Sequence, residues 1–98
     1  MTTVDITAQV LDFEHHYLMQ TYRRPPFVLA RGDGVHLYDT DGNAYLDFVA
    51  GIAVNALGYG DPELTQAVQQ AAAQLIHVSN LYNTVPQAEL AAMLVEKS

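Results

Sequence analysis

The side chains that could take part in chemistry are few in this 98-residue chain, and they are scattered along it. His15 and His16 are adjacent, so on a helix they point in different directions and cannot form the i, i+4 pair of zinc-binding helices. His36 and His77 stand alone. The one lysine, Lys97, lies near the end of a predicted helix, where a solvated charge explains it better than a Schiff base. These residues predict neither a catalytic group nor a metal site.

One acidic segment begins like a calcium-binding loop, because Asp39, Asp41 and Asn43 alternate along the chain. Gly42 is misplaced for such a loop, and no glutamate stands at its twelfth position. The Asp-Gly step is instead a strong signal for a tight hairpin. We therefore interpret the segment as a turn between two strands.

The composition narrows the classes of partner. Four Lys and Arg against eleven Asp and Glu give a formal net charge of −7, which argues against nucleic acid as a partner. Only 15% of the residues are charged, so part of the surface is expected to contact other protein. Cysteine is absent, no apolar run approaches the ~20 residues of a membrane span, and the N-terminus lacks a signal-peptide pattern. The expected location is the cytoplasm, without membrane contact.

Apolar spacing and turn residues predict the elements of the first half. Residues 4–20 show helical spacing, with Thr2 or Thr3 as the cap, and Pro25-Pro26 lies beyond the end. Three short extended runs follow, separated by glycine-containing turns: Phe27–Arg31, Val35–Asp39 and Ala44–Val49.

The second half is predicted to be mainly helical. Ala50–Leu57 is apolar and rich in small residues, which indicates close packing against another surface. Asp61 is a good N-cap for a helix that starts at Pro62 and runs to about His77. Its expected buried stripe consists of Leu64, Val68, Ala71, Leu75 and Ile76.

A last helix is predicted from Pro86. Thr84 and Gln87 have the spacing of a capping box at its start. The helical pattern continues to Ser98 without a stop signal, so we expect the chain to be a cut through a larger fold. The elements together predict an α+β arrangement.

Five motifs, in order, resemble the class III aminotransferases, which are fold-type I enzymes that use pyridoxal phosphate. The motifs are Tyr22–Pro26, Arg31–Val35, Asp39–Phe48, Gly51–Gly58 and His77–Asn83, followed by Pro86-Gln87. Within the class, the segment at residues 51–57 is most similar to the members that act on acetylornithine. One departure is Tyr59-Gly60-Asp61-Pro62, because the family commonly has His-x-His-Pro at this place.

The resemblance implies the N-terminal segment of a fold-type I transferase, with an N-terminal helix, short antiparallel strands and then two helices. Residues 1–24 would form an N-terminal helix and arm. Residues 25–98 would form small-domain strands and a helix leading into the start of the large domain, as part of a single incomplete domain. The implied reaction passes an ω-amino group to the cofactor and then to 2-oxoglutarate, in arginine biosynthesis.

The family's phosphate turn, its cofactor-binding aspartate and lysine, and its carboxylate-binding arginine have no match in these 98 residues. Lys97 does not match the context of the family's lysine. We therefore expect pyridoxal 5'-phosphate to belong to the parent enzyme, with no cofactor bound by this chain alone. The chain alone is expected to be inactive, because the chemistry needs that lysine and that acid.

The resemblance implies that four residues help to form the substrate pocket. Tyr22 would line the entrance and Ile52 would contact the substrate side chain. Asn80 and Tyr82 would lie in a loop that reaches an active site near the subunit boundary. The implied partners are the remainder of the aminotransferase chain, a second subunit in a homodimer and a small amino-acid substrate. Ordinary roles stay open, since Ile52 also suits a core and Asn80 also suits a turn.

The residues alone leave two other functions open. The low charge and the unfinished last helix also suit a stand-alone homo-oligomeric interaction module without catalysis. Arg23, Arg24 and Arg31 lie close together in the sequence and would suit a site for a small carboxylate.

Overall fold

The computed structural model describes residues 5–98, which form helices and one small sheet. The elements are α1 (Ile6–Tyr17), β1 (Leu29–Asp33), β2 (His36–Asp39), β3 (Ala44–Leu46), α2 (Ala50–Ala53), α3 (Pro62–Gln74) and α4 (Val85–Lys97). The predicted α+β order is confirmed. The chain divides into two compact units, of which the first ends at Leu64 and the second is Thr65–Ser98.

Helix α1 is capped by side chains at both ends. Asp5 is its N-cap and accepts a hydrogen bond from the Ala8 amide at 3.2 Å. The predicted caps, Thr2 and Thr3, lie outside the described residues. At the other end, the Gln20 side-chain amide donates to the carbonyls of Glu14 and Leu18 at 3.1 and 3.0 Å. The Glu14 carbonyl also accepts the Leu18 amide at 3.1 Å, so the bond from Gln20 is a second one to the same oxygen. Helix α1 ends at Tyr17, three residues before the predicted position 20.

The three strands form one antiparallel sheet in the order β1-β2-β3. Arg31 pairs with Tyr38 in the first ladder, and Leu37 pairs with Tyr45 in the second. The turn between β2 and β3 confirms the hairpin interpretation, with Gly42 at a φ of 86°. β1 begins two residues later than predicted and β3 ends three residues earlier.

The predicted packing of the apolar faces is wrong for this chain. No apolar side chain is buried among residues 5–98. The expected stripe of α3 is exposed throughout, and the segment Ala50–Leu57, predicted to be closely packed, is half-buried at Ala50 and exposed from Gly51 onward. Periodicity identifies an apolar face of a helix, but it does not identify the surface that covers it.

The helix starts differ in how well the sequence predicted them. Asp61 caps α3 as predicted, because its carboxylate accepts the Leu64 amide at 2.9 Å. The capping box of α4 is wrong: the Thr84 side chain makes no capping bond, and Gln87 donates to Asn80 Oδ1 instead, at 2.7 Å. Within residues 5–98, every helix is too short or too polar to cross a membrane.

Candidate functional site

Tyr22 lines a cleft of about 560 Å³ between α1 and the segment that leads into β1. The residue is 73% exposed. The Arg24 guanidinium lies 5.6 Å from the centre of the Tyr22 ring and donates to Glu14 Oε1 at 3.0 Å. Arg24 therefore holds the tyrosine segment against α1 through one ion pair and one cation–π contact.

Two of the three arginines that suggested a carboxylate site, Arg24 and Arg31, have separate partners. Arg24 is paired with Glu14, as described. The Arg31 guanidinium lies over the Tyr38 ring, 3.7 Å from its centre. This arrangement does not support a shared site for a small carboxylate.

Asp39 organises the turn between β2 and β3. It is 6% exposed, and its carboxylate accepts the backbone amides of Asp41 and Asn43 at 3.0 and 2.9 Å. The Asn43 side-chain amide and the Tyr45 hydroxyl also donate to it, at 3.0 and 2.8 Å. The pKa of Asp39 is lowered chiefly by the Asn43 side chain, and the pKa of Tyr45 is raised chiefly by its bond to Asp39.

Asp47 is a second carboxylate with several donors. Its Oδ1 accepts the backbone amides of Val49 and Ala50 at 2.9 and 3.0 Å. Its Oδ2 accepts the hydroxyl of Tyr59, twelve residues further along the chain. The bond lowers the pKa of Asp47 and raises the pKa of Tyr59, since the carboxylate favours the protonated phenol.

Tyr59 is fixed against the first turn of the sheet. Its backbone exchanges two hydrogen bonds with Gly34, at 2.9 and 2.8 Å. Its ring occupies the space beside Gly32, where an added Cβ would lie 2.5 Å from the ring. Gly58 adopts a φ of 77°, and a Cβ there would lie 2.7 Å from the Gly34 carbonyl oxygen. Side chains at positions 32 and 58 would therefore disrupt the placement of Tyr59.

Ile52 lies in α2, one turn with unusual handedness. The φ angles of Ala50, Gly51, Ile52 and Ala53 are 51°, 64°, 70° and 61°, all in the left-handed region. We refer to Ala50–Ala53 as the left-handed turn. The turn is closed by the Val54 amide, which donates to the Ala50 carbonyl at 2.8 Å. Ile52 is 84% exposed, so its side chain is available to a ligand and does not form a core.

Asn80 and Tyr82 lie in the second unit, in the loop between α3 and α4. Asn80 lines a largely apolar cleft of about 360 Å³, and its Oδ1 accepts a hydrogen bond from Gln87 at 2.7 Å. Tyr82 is 67% exposed and is not among the lining residues of that cleft. Asn80 is therefore held in place, whereas Tyr82 points a free ring toward solvent.

The four predicted pocket residues are not gathered in one place within either unit. Ile52 is absent from the lining of the Tyr22 cleft, and Tyr82 is absent from the lining of the Asn80 cleft. Their substrate contacts remain predictions. The sequence analysis did not predict that Asp39 and Asp47 bind the amides of the following turns. Both lie in the motif that spans residues 39–48, which was the available signal for them.

Residues 5–98 do not offer a lysine suited to hold pyridoxal phosphate. Lys97 lies in the last turn of α4 and is exposed, whereas a lysine that forms a Schiff base is desolvated in a pocket. The described residues also contain no group of three or more His, Cys, Asp or Glu side chains placed to hold a metal ion. We derive no reaction step from this chain alone.

The comparisons with known proteins identify the family. The family model for class-III aminotransferases matches residues 17–98, so the chain belongs to this family. It is 52% identical over 89 residues to the acetylornithine aminotransferase of Caldanaerobacter subterraneus subsp. tengcongensis. That match covers 91% of this chain and 23% of the relative, so the chain spans about a quarter of the relative's length.

Solved structures of aminotransferases contain the same arrangement of elements. The N-acetylornithine aminotransferase of Stenotrophomonas maltophilia is 37% identical with a TM-score of 0.72, over 88% of this chain and 22% of that one. The taurine:2-oxoglutarate aminotransferase of Bifidobacterium kashiwanohense, solved with PLP and glutamate, is 25% identical with a TM-score of 0.82. It matches 98% of this chain with 22% of its own. The predicted fold, an N-terminal segment of these PLP-dependent enzymes, is confirmed.

Proposed function

We propose that this chain serves as the N-terminal part of an acetylornithine aminotransferase. The complete enzyme would transfer the ω-amino group of its substrate to 2-oxoglutarate, with pyridoxal phosphate as the cofactor implied by the family. The observation that carries the proposal is the 52% identity to an acetylornithine aminotransferase over nine-tenths of the chain. Arginine biosynthesis in the cytoplasm is the proposed setting.

In this proposal the chain supplies walls of the substrate pocket, and the reacting groups come from elsewhere in the enzyme. Tyr22 is exposed with Arg24 against its ring, and Ile52 is exposed on a turn whose first amide is bound by Asp47, which suits residues that select a substrate. Asn80 and Tyr82 have the same role in the second unit. Residues 5–98 lack a desolvated lysine, which supports the proposal that the reacting groups lie elsewhere in the enzyme.

The proposed partners are the remainder of the aminotransferase chain and a second subunit. Large apolar side chains are exposed on all the longer helices, including Phe13 on α1, Val68 on α3 and Leu94 on α4. Exposed apolar surface of this extent marks a site of contact with other protein. This exposure does not favour the stand-alone interaction module over the aminotransferase, because in both cases other protein must cover the apolar faces.

The gene product that contains these residues, purified at its natural length, tests the function. Glutamate formation from 2-oxoglutarate would be measured with acetylornithine, succinyl-diaminopimelate, ornithine and 4-aminobutyrate as amino donors. We expect the highest kcat/KM with acetylornithine. A preference for ornithine or 4-aminobutyrate would overturn the proposed substrate, and no transfer from any donor would overturn the enzyme. The 98-residue chain alone, with added cofactor, is expected to give no turnover.

Tyr22→Ala tests the proposed pocket wall in that same gene product. We expect KM for the amino donor to rise about tenfold, because a positioning contact at the entrance is lost. Tyr17→Ala is the matched control, since Tyr17 is also an exposed tyrosine but is not among the residues that line the Tyr22 cleft. Equal effects of the two substitutions would contradict the role of Tyr22.

A further inference from the structure

We propose that Asp47 and Tyr59 are positioning residues for substrate selection, which hold the left-handed turn and thereby fix the direction of the Ile52 side chain. This inference rests on the proposed function, in which Ile52 contacts the substrate. The two residues need not touch the substrate themselves. They act through the backbone that carries Ile52.

The left-handed turn needs support from its surroundings. Positive φ is a rare conformation for residues other than glycine, and a β-branched residue such as Ile52 is a marked outlier there. Only Gly51 among the four residues adopts this region without steric strain. Such backbone persists only where neighbouring structure determines it, and it is concentrated at functional sites.

Asp47 supplies this support at the entrance to the turn. Its carboxylate accepts the amides of Val49 and Ala50, which are the first two amides of the segment that winds into the turn. A single side chain therefore sets the direction in which the chain enters the left-handed region.

Tyr59 connects the two ends of the turn. Its hydroxyl donates to Asp47, which precedes the turn, and accepts from the Asn55 side-chain amide, which follows it, at 3.4 Å. The backbone of Tyr59 is hydrogen-bonded to Gly34, and its ring lies against Gly32, so the residue is anchored on the sheet. A continuous set of contacts thus runs from the sheet through Tyr59 and Asp47 to the amides of Val49 and Ala50, where the turn that carries Ile52 begins.

Tyr59→Phe is the direct test, made in the natural-length gene product. The substitution keeps the ring beside Gly32 and removes both hydroxyl contacts. We expect KM for the amino donor to rise roughly tenfold with kcat little changed, because Ile52 is displaced and the reacting groups are not. Tyr38→Phe is the matched control, since Tyr38 lies in β2 of the neighbouring sheet and its hydroxyl has no described hydrogen-bond partner.

A double-mutant cycle with Ile52→Ala separates positioning from general stability. If Tyr59 acts through Ile52, adding Tyr59→Phe to Ile52→Ala raises KM no further. Independent, multiplicative effects on KM, or a lower melting temperature without a change in KM, would overturn the inference. If Tyr59→Phe fails to fold, Asn55→Ala tests the same connection, and its effect on KM must also vanish in the Ile52→Ala background.

The single Ile52→Ala variant distinguishes this inference from the function on which it rests. An unchanged preference among amino donors in that variant would overturn the substrate contact of Ile52, and the inference with it. A changed preference in Ile52→Ala, combined with a Tyr59→Phe enzyme that behaves like the wild type, would overturn the inference alone.

Discussion

The strand region, residues 28–59, and the helical region, residues 65–98, are stabilised by different kinds of contact. In the strand region, Asp39 and Asp47 each accept three or more hydrogen bonds, and the bond from Tyr59 to Asp47 spans twelve residues. In the helical region the side-chain hydrogen bonds are short-range, and the bond from Gln87 to Asn80 spans seven residues. Apolar faces are exposed in both regions.

This difference in hydrogen bonding shows which contacts determine the structure of each region. Polar side chains determine the turns of the strand region from within the region itself. The helical region has residues that favour helix, but isolated helices of 13 residues are marginal in water. The structure of the helical region therefore depends more strongly on protein surface beyond itself.

The largest effect is expected where the strand region has no room for a side chain. Gly58→Ala places a Cβ against the Gly34 carbonyl in a backbone with positive φ, and we expect a loss of about 3 kcal/mol in local stability. Gly60→Ala is the control, because Gly60 also has positive φ but an added Cβ meets no atom within 4 Å. Hydrogen exchange at the Gly34 and Tyr59 amides measures the loss of local stability in both variants. Equal losses would contradict the steric argument.

Removing a carboxylate from the hairpin is expected to have the next largest effect. Asp39→Ala leaves four hydrogen-bond donors without their acceptor, so the Asn43 amide should exchange about tenfold faster or more. Asp41→Ala removes a nearby exposed carboxylate for which no side-chain hydrogen bond is described, and it should leave exchange at Asn43 nearly unchanged. Similar rates in the two variants would show that Asp39 does not organise the turn.

The stability of the strand region should also depend on pH, in acid and in alkali. The pKa values of Asp39 and Asp47 are lowered in the fold, so their stabilising contribution is complete above the ordinary value of ~3.9 and is lost as the pH falls through the folded values. The pKa values of Tyr45 and Tyr59 are raised, so that contribution is lost as the pH rises above ~10. NMR titration of both regions measures this. Amides of Asn43 and Ala50 that stay equally protected in acid would contradict it.

A small effect is expected in the loop of the helical region. Gln87→Ala removes the bond to Asn80 and should lower local stability by about 0.5–1 kcal/mol, since both groups are exposed. Gln70→Ala on α3 is the control, because no hydrogen bond of its side chain is described. Exchange at the Leu81 amide, beside Asn80, reports the difference. A loss comparable to that of Gly58→Ala would remove the distinction between the two regions.

The smallest effect is expected at the ion pair beside Tyr22. Arg24→Gln should cost about 0.5 kcal/mol and the loss should shrink at high salt, because the pair with Glu14 is partly exposed. Arg23→Gln is the control, since no partner of Arg23 is described. Chemical denaturation at two salt concentrations measures both. A loss that is independent of salt would point to packing on Tyr22 as the main contribution of Arg24.

The sequence predicted the features that depend on neighbouring residues. The Asp41-Gly42 hairpin, the Asp61 cap and the order of the elements are local, and the structure confirms each. Most of the local shape of residues 5–98 was accessible in this way.

The features that the sequence did not predict depend on distant contacts. Nothing in Ala50–Ala53 favours positive φ except Gly51, so the left-handed turn arises from Asp47 and the residues around it. The helix stripes were recognised as apolar but assigned to a core, because a sequence pattern cannot name the covering surface. The substrate contacts of Tyr22, Ile52, Asn80 and Tyr82 stay predictions, because they come from the family resemblance and not from a local pattern of residues.

The left-handed turn contains a position at which a D-amino acid would be favoured over an L-amino acid. A right-handed helix is the default for L-amino acids because the left-handed form crowds Cβ against the following carbonyl. For a D-amino acid the preference is reversed. Ala53, with a φ of 61°, is therefore a place where the mirror-image residue fits better than the natural one. A D-alanine introduced there by chemical synthesis would stiffen the segment that carries Ile52, while every side chain in the protein stays chemically the same.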